Sequence, residues 1–184
     1  MRHTDFTPFT RRRLMMLMPV GLAVAACQGQ GRSNDQAYAD EPETTGALPQ
    51  TPNGDIDWAG LSEAQWRERL SPAAFNVLRK EDTERPFTSA LNEETRPGIY
   101  HCAGCDLPLF SSETKYKSGT GWPSFWDHLD GAFETKPDRM LFYVRTEYHC
   151  ARCGGHQGHV FDDGPEPTGK RWCNNGVALT FRPA

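Results

Sequence analysis

The sequence predicts a mainly β protein, a short-stranded β-rich fold of two antiparallel sheets with short N-terminal covering helices. Three observations predict it. Fourteen prolines and seventeen glycines among 184 residues, with a mean hydropathy of −0.68, interrupt the chain too often for long helices. From Gly98 onward, brief runs rich in aromatic and β-branched residues ("GIYHC", "FYVRTEYHC", "GHVF", "VALTF") are broken by Gly and Pro. Helix start signals gather between residues 61 and 80. This length leaves room for one folded domain with appendages.

Residues 1–26 read as an export signal. Arg2, Arg11, Arg12 and Arg13 stand against a single Asp5, and the thirteen apolar residues 14–26 are too few to span a bilayer as a mature anchor. "TRRRLMM" resembles a twin-arginine signal, and "VAAC" resembles a bacterial lipobox. Together they predict acylation of Cys27 and a lipid-anchored protein of the bacterial cell envelope or periplasm. The alternative is a soluble periplasmic protein cut nearby, with Cys27 incidental. Without residues 1–26 the chain keeps 16 basic and 23 acidic residues, a net charge of −7. That balance argues against nucleic acid as a partner and leaves a lipid on Cys27 as the only membrane contact. Residues 27–57 are polar and poor in large apolar groups, which predicts a flexible linker, and residues 58–184 form the expected domain.

The first helix is expected at "LSEAQWRERL", where Ser62 and Gln65 have capping-box spacing and Leu61 and Trp66 the spacing of a hydrophobic staple. "SPAAFNVLRK" repeats the logic, with Ser71 as cap, Pro72 in the first turn, and Phe75 and Leu78 on one face.

Cys102-Ala-Gly-Cys105 and Cys150-Ala-Arg-Cys153 each set two thiols on a tight turn, helped by Gly104 and Gly154. Two such pairs supply the four soft ligands of a tetrahedral Zn2+ with no open position, hence a structural zinc knuckle site, one per chain. A redox pair or two disulfides are the competing readings, which two C-x-x-C motifs in one chain disfavour.

Cys173 is left over. If "KRWCNNGVALTF" enters a strand, Arg171, Cys173 and Asn175 share one face while Trp172 points into the core. A guanidinium beside a free thiol favours the thiolate, whereas a buried structural cysteine would have apolar neighbours. The local chemistry therefore points to a nucleophile.

The segments "ERPFT", "PGIYHCAGCDLPLFSSETKYKSGTGWPSFW" and "CGGHQGHVFDDGPEPTGKRWCNN" resemble, in order, the motifs of the methionine sulfoxide reductase B family. The resemblance runs from Leu61 to the C-terminus. It implies reduction of methionine-R-sulfoxide in oxidised peptides and proteins through a Cys173 thiolate and a sulfenic acid. It also implies a thioredoxin-like reductant. It assigns His159, Asp163 and Asn175 to the site as catalytic groups and Trp122 at the substrate; Arg171, on the face of Cys173, joins the catalytic set, and His156 and Phe161 are expected at the substrate. His159 is the natural proton donor to the sulfoxide oxygen, Asp163 can fix its tautomer or hold a bridging water, and Trp122 offers a flat wall for the terminal methyl. Many relatives carry a resolving cysteine before "GWPSF"; here that segment has Thr120. With Cys27 acylated, an external thiol is expected to reduce the sulfenic acid directly; an unlipidated Cys27 on its long tether is the alternative recycling thiol.

Overall fold

A computed structural model describes residues 46–139 and 144–184. The predicted export signal, Cys27 and the first part of the expected linker lie outside the described residues. Within them, residues expected to be linker already belong to the folded body. Gln50 and Ile56 form an isolated bridge around a turn at Thr51–Gly54, and Leu48 and Ile56 pack against the core.

Two helices follow, as their sequence signals predict. In α1 (Glu63–Arg69) the Ser62 hydroxyl accepts from the Gln65 backbone and the Gln65 side chain accepts from the Ser62 backbone. The flanking Leu61 and Trp66 are both buried. In α2 (Pro72–Lys80) Ser71 caps the start, and Glu81, in a left-handed conformation, ends it. Ala74, Phe75, Val77 and Leu78 form its buried stripe, which lies against the strand carrying the histidines.

Among the described residues, nine strands make two antiparallel sheets. The smaller has the order β2 (Pro108–Ser111), β1 (Gly98–Cys102), β9 (Leu179–Pro183). The larger runs β3 (Lys115–Tyr116), β4 (Ser124–Phe125), β8 (Arg171–Asn174), β7 (His156–Phe161), β6 (Arg145–Cys150), β5 (Phe133–Asp138). Aromatic rings from both sheets join them: Phe110 of β2 stacks on Phe125 of β4 at 4.0 Å, and Tyr100 of β1 meets Phe125 edge-on at 5.0 Å. Such pairs add roughly 0.5–1.5 kcal/mol each to the burial of the rings.

Trp172 follows the predicted alternation. It turns into this core, stacked on Phe133 and edge-on to Tyr148, while its neighbours Arg171 and Cys173 face the other way.

The two cysteine turns are built alike. Cys102 ends β1 and Cys150 ends β6; in each turn the first cysteine's carbonyl accepts from the residue after the second cysteine, Asp106 or Gly154, at 2.8 Å. Both of those residues have left-handed backbones, with φ of 63° and 66°. The position that needs positive φ is therefore the one after the motif. Gly154 fulfils that expectation, while Gly104 serves instead by closeness, because a Cβ there would lie 3.3 Å from Trp66. A histidine precedes each turn, and the Nδ1 of His101 or His149 lies 3.1 Å from the carbonyl oxygen of that left-handed residue.

Candidate active site

The four knuckle cysteines converge in the core with their sulfurs mutually within 4.8 Å. Cys102 and Cys153 are 3.7 Å apart and Cys105 and Cys150 3.4 Å. A tetrahedral ion with Zn–S bonds near 2.3 Å requires sulfur separations of about 3.8 Å. The donor set thus fits a structural zinc, with no fifth group from the described residues competing for it.

Inside the larger sheet, β8 sets Cys173 between two strands. In register, Cys173 lies opposite His159 of β7 and opposite Ser124 of β4, so the three side chains form one row on one face. Two residues back, Arg171 opposes Phe161, and its guanidinium lies 4.2 Å from that ring's centre. A cavity of about 110 Å³ opens over this face, lined by Thr83, Trp122, Arg145, His159, Phe161, Cys173 and Asn175.

Several predicted residues therefore come together: Cys173, His159, Trp122, Phe161 and Asn175 share the cavity. Others are used differently from what the sequence suggests. Asp163 does not touch His159. Its carboxylate grips Arg171 in a bidentate pair at 2.8 and 2.9 Å, and its side chain is 63% exposed. His159 instead takes Asp138 of β5, Nε2 to Oδ2 at 2.9 Å, and Arg145 of β6 bonds the same oxygen at 2.5 Å. Asn175 is a bracket more than an oxygen ligand: its Nδ2 donates to the Gln157 carbonyl and its Oδ1 accepts from the Glu84 backbone. His156, 1% exposed, lies behind the cavity rather than on its wall and is bonded through Nδ1 to the buried Glu147 carboxylate.

Protonation also departs from expectation. The neighbouring guanidinium predicts a lowered thiol pKa, yet burial pushes Cys173 up from its ordinary value. Arg171 and the hydroxyls of Thr120 and Ser124 oppose this only in part. The physical reason is burial of the thiol, which outweighs a guanidinium that is already paired with Asp163. Those hydroxyls belong to one network, in which Ser118 lies 2.9 Å from Thr120 and 2.7 Å from Ser124. Burial likewise holds His159 below its ordinary value, against the Asp138 carboxylate.

Glu84 escaped the sequence reading although it lies in the quoted "ERPFT". Its carboxylate accepts from the backbone of Gly176 at 2.5 Å and Val177 at 3.1 Å, its carbonyl accepts from Trp122 Nε1, and its N–H donates to Asn175. One residue thus ties the loop before β1 to both the indole wall and the segment after Cys173.

The SelR domain family matches residues 70–183. Peptide methionine sulfoxide reductase MsrB of Agrobacterium fabrum is 50% identical over 123 residues, covering 66% of this chain and 91% of that protein. The protein of the same name from Pseudomonas putida is 52% identical over 120 residues, 65% of this chain and 90% of its own. Among solved structures, the Mis18 "Yippee-like" domain covers 48% of this chain and 98% of its own at a TM-score of 0.41 and 16% identity, a likeness too distant to carry any argument. Because the matched segment holds both cysteine knuckles, the His159 strand and Cys173, the chain belongs to the SelR family, the methionine sulfoxide reductases of type B.

Proposed function

We propose that the protein reduces methionine-R-sulfoxide in peptides and proteins, with Cys173 as nucleophile and His159 as the group that delivers a proton to the departing oxygen. One observation carries this reading: Cys173, alone among the described cysteines in standing outside the metal cluster, lies directly opposite His159 in a cavity large enough for one side chain.

The protonation states support a balanced step. With Cys173 raised and His159 lowered, the free pair holds one proton across the neutral range, on sulfur. Transfer of that proton to the imidazole gives thiolate and imidazolium without help from solvent. Thiolate attack then forms a bond from Cys173 sulfur to the sulfoxide sulfur, and the oxygen, taking the imidazolium proton and one more from solvent, leaves as water with the S–O bond broken. A water molecule then attacks Cys173 sulfur, breaks the S–S bond and returns one proton to solvent. The products are methionine and a Cys173 sulfenic acid, so the electrons that reduce the substrate sulfur come from the cysteine sulfur. Asp138 holds the imidazolium in place through Nε2, and the substrate's methyl rests against Trp122. Regeneration takes two external thiols: one displaces water to form a mixed disulfide, and the second releases Cys173. A thioredoxin-like protein fits this role, because the four other described cysteines are buried in the metal cluster. The zinc supplies structure and no chemistry. Residues 1–26 and an acylated Cys27 would put this repair activity on the envelope side, a reading that rests on the sequence pattern alone and that mass spectrometry of the mature N-terminus tests.

The decisive experiment offers the purified protein both epimers of a blocked methionine sulfoxide with dithiothreitol. Turnover confined to the R epimer, and lost in Cys173→Ser with zinc and fold retained, is the expected result. Turnover of neither epimer would sink the proposal.

A further inference from the structure

The geometry points to a second substrate cavity: the hollow that shares Trp122 with the reaction site receives a large apolar side chain flanking the oxidised methionine, so that an extended peptide with an aliphatic or aromatic neighbour is the preferred substrate. This rests on the reductase reading above and refines it.

Size is the first argument. The reaction cavity of about 110 Å³ leaves the rest of a peptide outside it. The second hollow, about 220 Å³, is smaller than the 300–1,000 Å³ typical of whole small-molecule ligands, which suits one additional side chain. Trp122 belongs to both linings, so the two occupants would sit within one short stretch of backbone.

Chemistry is the second. Phe87, Tyr116, Trp122 and Pro123 give the hollow its apolar surface. Charges at the rim are already engaged with one another or with backbone: Lys117 pairs with Glu93 at 3.5 Å, and the Lys115 amine donates to the Asn92 carbonyl at 2.9 Å. No unengaged cation or carboxylate marks the site for a charged side chain, and an apolar one is favoured.

Preorganisation is the third. Phe87 is 73% exposed, yet it is fixed in a left-handed backbone conformation, φ 65°, that a bulky residue seldom adopts. Its N–H donates to the Gly121 carbonyl at 2.7 Å, and Gly121 itself has φ 95°. A Cβ on Gly121 would fall 2.7 Å from Pro86 and 2.9 Å from Phe87, so only glycine permits this approach. The fold thus holds an aromatic ring out in solvent at a conformational cost of roughly 1–3 kcal/mol, a pattern that recurs at ligand clamps. A backbone already fixed loses little freedom when a substrate covers the ring it carries.

The test compares kcat/KM of the full chain, with dithiothreitol, on blocked methionine-R-sulfoxide and on pentapeptides whose flanking residues are Gly, Glu, Leu or Phe. We expect Leu or Phe on one side to exceed Gly and Glu by about tenfold, the effect of burying one apolar side chain. In Phe87→Ala that ratio should fall below threefold, and in Phe87→Leu most of it should return, with circular dichroism checking the fold of each variant. Equal kcat/KM across the wild-type series, or a ratio unchanged in Phe87→Ala, overturns the second cavity while leaving the reductase reading intact. Failure to turn over even the blocked amino acid overturns that reading itself.

Discussion

Asp138→Asn isolates the imidazole partner that the fold supplies. His159 donates Nε2–H to Asp138 at 2.9 Å, and burial works against its charged form. A hydrogen bond to a charged group is worth about 1.5–3 kcal/mol, or roughly one to two pKa units at 1.36 kcal/mol per unit. Arg145 shares the same carboxylate oxygen and draws on its charge, which favours the lower end, about one unit. Removing the carboxylate therefore lowers His159 further, away from its ordinary 6.5. The sign matters for rate. Below the His159 pKa the pair carries two protons and lacks a thiolate; above the Cys173 pKa it carries none and lacks a donor. Between them kcat/KM is flat, and its height follows the small fraction present as thiolate and imidazolium. Each unit by which His159 falls cuts that fraction tenfold. We expect kcat/KM of Asp138→Asn, measured from pH 5 to 10 on a blocked sulfoxide, to drop about tenfold on the plateau while its acid limb moves down by about one unit. A wild-type plateau with an unmoved limb, or an unchanged imidazole titration by NMR, would refute the role given to Asp138.

Three further outcomes follow from other contacts. Glu84→Ala leaves the N–H groups of Gly176 and Val177 without their carboxylate, which should cost about 2 kcal/mol, or about 4–8 °C in Tm by calorimetry; a change under 1 °C would mean water replaces the side chain at no cost. Arg171→Met removes the positive charge that most opposes the burial of Cys173, so the rate of iodoacetamide alkylation at pH 7 should fall severalfold and its pH midpoint should rise. Chelation of the metal, or Cys102→Ser, should unfold the domain as followed by circular dichroism, because structural zinc contributes about 10 kcal/mol in small metal-folded units against 5–15 kcal/mol for a whole domain; protein with one zinc per chain that keeps its Tm after chelation would contradict this.

What could be read from sequence was local. Ser62 and Gln65, or Ser71 and Pro72, announce their helices because a cap is satisfied within three residues. Period-two alternation likewise sorted Trp172 from Cys173. Strand β5 was invisible: "FETKPD" has a proline and mostly exposed residues, since it forms the sheet's outer edge. That omission hides the imidazole's partner: Asp163, which the resemblance assigns to the site, is captured by Arg171 across β7 and β8, whereas the acid bonded to His159 comes from two strands away. Glu84 lies more than ninety residues from the groups it caps, a separation that no spacing rule spans.

The same long-range logic links the metal cluster to the reaction site. β7 starts three residues after Cys153, and its second residue, Gln157, is fully buried. The Gln157 side chain donates to Cys102 sulfur at 3.4 Å and accepts from Asn174, while its backbone carbonyl accepts from both the backbone and the side chain of Asn175. Asn174 in turn accepts from the Tyr148 hydroxyl, beneath Trp172. The residues directly after Cys173 are therefore fastened to a strand whose start the metal pins. Alignment of Cys173 with His159 depends on that fastening, because one residue of slip between β7 and β8 would turn one of the two side chains to the opposite face. The cysteine cluster, with the structural zinc it would hold, thus helps to fix the strand register on which the pairing of nucleophile and proton donor depends.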